Sequence, residues 1–81
     1  MYVEVLSPAN SRQEIQDKLD DYQIIGVREA WLVSPEARTV EVLQITPERR
    51  QRSGLYGLGD MLVSQILADL HLMVDEIFPE F

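Results

Sequence analysis

Residues 1–33 read MYVEVLSPANSRQEIQDKLDDYQIIGVREAWLV, and the hydrophobic pattern changes period twice within them. Met1 to Leu6 is apolar except for Glu4. A short apolar run with no polar lead-in predicts a central strand covered on both faces. Ser7-Pro8-Ala9-Asn10 ends it, because proline donates no ladder hydrogen bond and serine and asparagine favour turns. Ser11-Arg12-Gln13-Glu14 is a capping-box pattern, in which Ser11 accepts from the Glu14 amide. The helix it opens places Ile15, Leu19, Tyr22 and Ile25 on one face, with Gly26 as terminator. Val27 to Val33 then reads as a second strand. Strand, helix and strand in this order predict a βαβ unit whose strands are parallel with a right-handed crossover.

The pattern continues outward. Ser34-Pro35-Glu36-Ala37 forms a turn, and Arg38 to Ile45 alternates as an antiparallel partner strand should. The basic stretch Arg49-Arg50-Gln51-Arg52 falls on a loop, Ser53 to Gly57 on a short edge strand, and Gly57-Leu58-Gly59-Asp60 on a turn. Val63, Ile66, Leu67 and Leu70 have helical spacing and predict a short helix over 64–70, with strand as the competing reading of His71 to Val74. The expectation is an α+β fold: a β-α-β-β mixed sheet, one long helix on a face, and short C-terminal elements.

The 81 residues form a single domain with a single core. There is no cysteine and only one histidine, which excludes a disulfide framework, a thiolate nucleophile and a zinc knuckle. No apolar run reaches the roughly 18 residues of a membrane span, and the acidic N-terminus lacks a signal peptide's basic region. The cytoplasm is the expected location. Fourteen acidic against seven basic residues give a net charge of −7, the wrong sign for a chain that binds nucleic acid by neutralising phosphates.

Lys18 is the one lysine, and by helical angle it lies between Ile15 and Tyr22, while Glu14, Asp17, Asp20 and Asp21 point away. A lysine on a packed face either snorkels to water or meets a carboxylate. Glu4 shares a strand face with Tyr2 and Leu6, and the helix covers the sheet, so Lys18 is aimed at the strand bearing Glu4. The two residues form either a structural ion pair or two parts of a hydrolytic site. Arg49, Arg50 and Arg52 read as a solvated face, His71 as structural, and the glycines of 53–59 as turns without the lysine of a phosphate loop. Ser7 has no histidine partner and reads as a strand terminator. Trp31 and Tyr22 are expected in the core. Leu55, Tyr56, Leu58, Met61 and Leu62 are expected to be exposed as a partner surface.

Val3-Glu4-Val5-Leu6-Ser7-Pro8, then Lys18 with Tyr22, then the run from Gly26 to Val42 and the tail from Gly59-Asp60 to Ile77-Phe78 resemble the Uma-two family. These are bacterial proteins classed as restriction-endonuclease-like nucleases of the PD-(D/E)xK superfamily. The resemblance implies that Glu4 is a Mg²⁺ ligand, that the Val5 carbonyl assists, and that Lys18 orients water or stabilises charge on a phosphate. Leu6 stands where the usual ExK pattern has its lysine. It also implies that the Pro-Asp metal ligand belongs to a strand preceding Met1. The chain is then expected to be the C-terminal half of the fold, a single truncated domain over 1–81. DNA is its partner by resemblance only, and it is inactive alone because Mg²⁺ binds weakly to one carboxylate. Glu14 and Asp17 face outward and are poor substitutes. An uncovered sheet edge implies a homo-oligomer, and the alternative function is a non-catalytic oligomerisation or interaction module.

Overall fold

The computed structural model describes residues 2–7, 9–67 and 70–78. Its main sheet has four strands, β1 (Tyr2–Val5), β2 (Glu29–Ser34), β3 (Thr39–Ile45) and β4 (Arg50–Tyr56), in spatial order β1-β2-β3-β4. β1 runs parallel to β2, and β2–β3 and β3–β4 are antiparallel. Helix α1 (Arg12–Ile24) joins the parallel pair, as a βαβ crossover requires.

Local chemistry sets the ends of α1. The Ser11 hydroxyl accepts from the Glu14 amide at 3.1 Å. The reciprocal half of the capping box is replaced by Asn10, whose Nδ2 donates to Glu14 at 3.3 Å. At the other end Gly26 adopts φ +86°. Val27 N–H reaches the Tyr22 carbonyl at 2.9 Å, the six-to-one bond of a Schellman close that needs a left-handed residue before it.

The sheet buries both faces, because successive side chains alternate. Ala30 and Leu32 of β2 pack with Leu43 and Ile45 of β3 and with Leu19 and Tyr22 of α1. On the opposite face Trp31, Val33, Val40 and Val42 pack with Leu62, Val74 and Phe78. This second layer is built from β5 (Met61–Leu62), β6 (Leu72–Met73) and the one-turn helix α2 (Val74–Ile77).

Several expectations are corrected. β1 is an edge strand, not a central one, with Val3 46% and Val5 62% exposed. The two-face-covered strand is β2, which has neighbours on both sides. Ile25 is exposed rather than part of the packed face, since α1 closes before it and Gly26 turns the chain. The arginine stretch lies largely in β4, which is longer than expected because Arg52 finds Glu41 on β3 and Arg50 finds Asp20 on α1. Residues 64–67 are not helical, while 68 and 69 lie outside the described residues, as do Met1 and Pro8. Leu62 is fully buried instead of exposed, and Tyr56 is only partly exposed.

Candidate active site

The alternation of β1 puts Tyr2, Glu4 and Leu6 on the α1 side of the sheet, where Glu4 stands opposite Leu32. Lys18 and Tyr22, four residues apart, project from α1 toward the same spot. Lys18 Nζ donates to Glu4 Oε1, and Tyr22 Oη donates to Glu4 Oε2 at 2.7 Å. The Tyr2 ring lies against Tyr22 with centroids 4.2 Å apart, which braces the phenol from the strand side. The sequence places Lys18 on the packed face, whereas the structure stands it at the rim. Its side chain is 46% exposed and that of Glu4 is 17% exposed.

The charges are fixed by these bonds. The Lys18 ammonium, and then the Tyr22 hydroxyl, hold the Glu4 carboxyl below the usual carboxylate range. Glu4 in turn raises the Lys18 ammonium, and burial followed by the bond to Glu4 pushes the Tyr22 phenol up. At neutral pH the cluster therefore holds one carboxylate, one ammonium and a neutral phenol. Tyr22 is both core and site, a dual role that reading it as core alone missed. The available signal was its four-residue spacing from Lys18.

The backbone of β1 contributes a second kind of donor. Leu6 N–H donates to the Val33 carbonyl at 2.7 Å. In a parallel ladder a residue's N–H and C=O share one side, so Leu6 and Glu4 face β2 while Val3 and Val5 face the outer edge. The Val5 carbonyl consequently lies on the side of β1 away from β2.

This donor set does not by itself fit Mg²⁺. One carboxylate, both of whose oxygens already accept a protein hydrogen bond, and one carbonyl fall short of the oxygen cage the ion needs. Among the described residues no group of three or more His, Cys, Asp or Glu comes together. Asp17 is engaged by Gln13 at 2.8 Å and Glu14 by Asn10, both on the exposed side of α1. Arg50 pairs with Asp20 and Gln16, Arg52 with Glu41 at 2.7 Å, and Arg49 with Gln51 at 2.7 Å. His71 is exposed and apart from the cluster.

Sequence reasoning passed over Glu29 as a group with work of its own. It is fully buried on the face opposite Glu4. Its carboxylate accepts from Trp31 Nε1 (3.0 Å), Gln44 Nε2 (2.9 Å), Ser64 Oγ and the amides of Gln65 (2.9 Å) and Ile66 (3.4 Å). Burial pushes its carboxyl up, but the bonds from Gln44, Ser64, Trp31 and Gln65 outweigh that and hold it low. Glu29 ties the C-terminal layer to the sheet and takes no part in the Glu4 cluster.

The mixed four-stranded sheet with short helices matches a nuclease-like fold. Residues 1–75 match the Uma2 family, described as "Putative restriction endonuclease", and the chain belongs to that family. Among solved structures it is similar to a "putative nuclease belonging to DUF820" from Anabaena variabilis, with a TM-score of 0.72 and 22% sequence identity. The match covers 96% of this chain and 43% of that one, so the chain spans less than half the length of the solved nuclease. Among curated proteins none matches the sequence.

Proposed function

We propose that this chain carries half of a metal-dependent phosphodiester-hydrolase site, with DNA as the substrate class. The observation that carries the reading is the Glu4–Lys18–Tyr22 cluster at the rim of the sheet. In this reading Glu4 and the Val5 carbonyl are ligands for a divalent cation such as Mg²⁺, and the further donors the ion needs are not among the described residues. Tyr22 holds the carboxylate in one orientation. Lys18 keeps Glu4 ionised and sets a positive charge next to it, where a phosphate oxygen gaining charge is stabilised. A single copy is then inactive, since one carboxylate does not hold the ion.

The second reading, a non-catalytic interaction module, is favoured by the net charge of −7 and the exposed apolar residues of β1. Titration with Mg²⁺ or Mn²⁺ followed by NMR, alongside plasmid nicking, separates the two. The half-site reading expects shifts centred on Glu4, Val5 and Lys18 that disappear in Glu4→Gln. Silence at those residues up to millimolar metal, with no nicking, sinks it in favour of the module.

A further inference from the structure

The loop joining β5 to β6 is held to the sheet by polar bonds and not by an apolar stripe. Val63, Gln65, Ile66 and Leu67 are exposed, and Ser64 is the buried member of the run. Glu29 Oε1 accepts from the Gln65 and Ile66 amides and from Gln44 Nε2. Glu29 Oε2 accepts from Ser64 Oγ and Trp31 Nε1. Ser64 Oγ in turn accepts from the Ile66 and Leu67 amides, so residues 64–67 hang on one carboxylate, directly or through Ser64. The base of the loop is closed separately. Met61 pairs with Met73 and Leu62 with Leu72, and Leu62 belongs to the core cluster of Trp31 and Val42.

We propose that Glu29 is a charge-operated latch: neutralising this one carboxylate releases residues 63–67 as a loop while the four-stranded sheet stays folded. Each Glu29 oxygen faces two or more donors. A carboxamide nitrogen at either position points hydrogens at those donors, and a protonated acid surrenders the charge that makes the bonds strong. The loop buries little else that would hold it once they weaken. β2 and β3 keep their ladder and the apolar side chains on both faces, and the β5–β6 pairs confine the opening to the segment between them. All the donors bonded to Glu29 are neutral. Ser53 bonds to Gln44, and Gln51, with the Arg49 it holds, stands beyond Gln44 in the row across β3 and β4. Arg28 lines a groove with Gln23 on the α1 side. In the C-terminal layer Asp60 and Asp75 are taken up by the Gly57 and Gly59 amides, while His71 and Glu76 are exposed. Burial raises the Glu29 carboxyl, and its donors outweigh that and hold it low. The latch is therefore shut above the ordinary carboxylate range and opens as pH falls through the folded-state value.

Amide hydrogen exchange by NMR at neutral pH is the test, with Glu29→Gln as the latch variant and Glu4→Gln as the control. In Glu29→Gln the Gln65, Ile66 and Leu67 amides should exchange faster by about tenfold or more, the worth of one bond to a charged acceptor. The amides of β2 and β3 should keep their protection, and Glu4→Gln should leave the loop amides as they are. Trp31 is the one tryptophan and its indole donates to Glu29, so its N–H resonance should shift in Glu29→Gln. Loop amides unchanged in Glu29→Gln, loop and sheet loosening together, or loop amides loosened equally by Glu4→Gln, each overturns the latch. Where Glu29→Gln does not fold, acid titration of the unaltered chain decides, with the Glu29 carboxyl carbon, the Trp31 indole and the loop amides followed together. Loop protection lost at the Glu29 midpoint, with the sheet amides still protected, supports the latch. Loss of loop and sheet at one pH overturns it.

Discussion

Glu4 and Glu29 sit in neighbouring strands on opposite faces of the sheet, and their surroundings ask different things of them. Glu4 meets two side-chain donors at a rim open to solvent, which suits a group that exchanges partners. Glu29 is sealed, and a carboxylate survives full burial only when its lone pairs are taken up by donors. Removing it strands those donors. Glu29→Ala is expected to lower unfolding stability by about 3 kcal/mol in urea titrations, since each unsatisfied buried donor costs roughly 1–3 kcal/mol. A neutral Glu29→Ala would refute its role as a tie between layers. Both carboxyls are held below the ordinary value of 4.5, so they stabilise the fold above that value. The contribution is lost as pH falls through their folded-state values. The Tm should hold from neutral pH to about 5 and then drop, with a shallower acid slope in Glu29→Gln. Glu29 was not legible as a buried anchor because three of its donors, from Ser64, Gln65 and Ile66, come from 35 to 37 residues downstream. Glu4 and Lys18 were legible because strand and helix periodicity aim them at each other.

Among the elements, α1 was the most readable, since its ends depend on neighbours in sequence. Ser11→Ala should cost about 1 kcal/mol, the usual worth of an N-cap serine, measured by thermal or urea unfolding. A change near zero would mean that Asn10 and Glu14 carry the N-terminus instead. The expected helix over 64–70 shows the opposite case. Ser64 Oγ does accept from the Ile66 and Leu67 amides at 3.2 and 2.9 Å, the geometry of a helix start. That turn is not propagated through Leu67. Val63, Ile66 and Leu67 are 50%, 44% and 42% exposed, so the helical spacing of those side chains buries no face. Spacing predicts a helix only where a surface exists to receive its stripe.

The whole molecule is a plate, 34 × 33 × 15 Å across its Cα atoms. Its radius of gyration of 12.6 Å is slightly above the roughly 12 Å expected for a compact chain of this length. Strand order in the βαβ unit followed from chain connectivity, but the edge position of β1 did not. An apolar run of the same composition serves a central strand or an edge waiting for a neighbour, and only the neighbours tell them apart. Amide hydrogen exchange gives a measurement at this scale. At low protein concentration the Glu4 and Leu6 amides should be protected and those of Val3 and Val5 should exchange freely. Val3 and Val5 amides as slow as those of Glu4 and Leu6 would refute the parity of β1 against β2.

The tie between Glu29 and Ser64 also has a consequence in time. The two residues are 35 positions apart, so at about 5–20 residues per second of synthesis Ser64 follows Glu29 from the ribosome by about 2–7 s. In the later part of that interval, once β3 has followed, β2 and β3 can already be paired, with Trp31, Val33, Val40 and Val42 uncovered on one side. The nascent chain therefore passes through a stage in which half of its eventual core is a sticky surface, and this lasts beyond the arrival of Ser64 until Val74 and Phe78 follow to cover it.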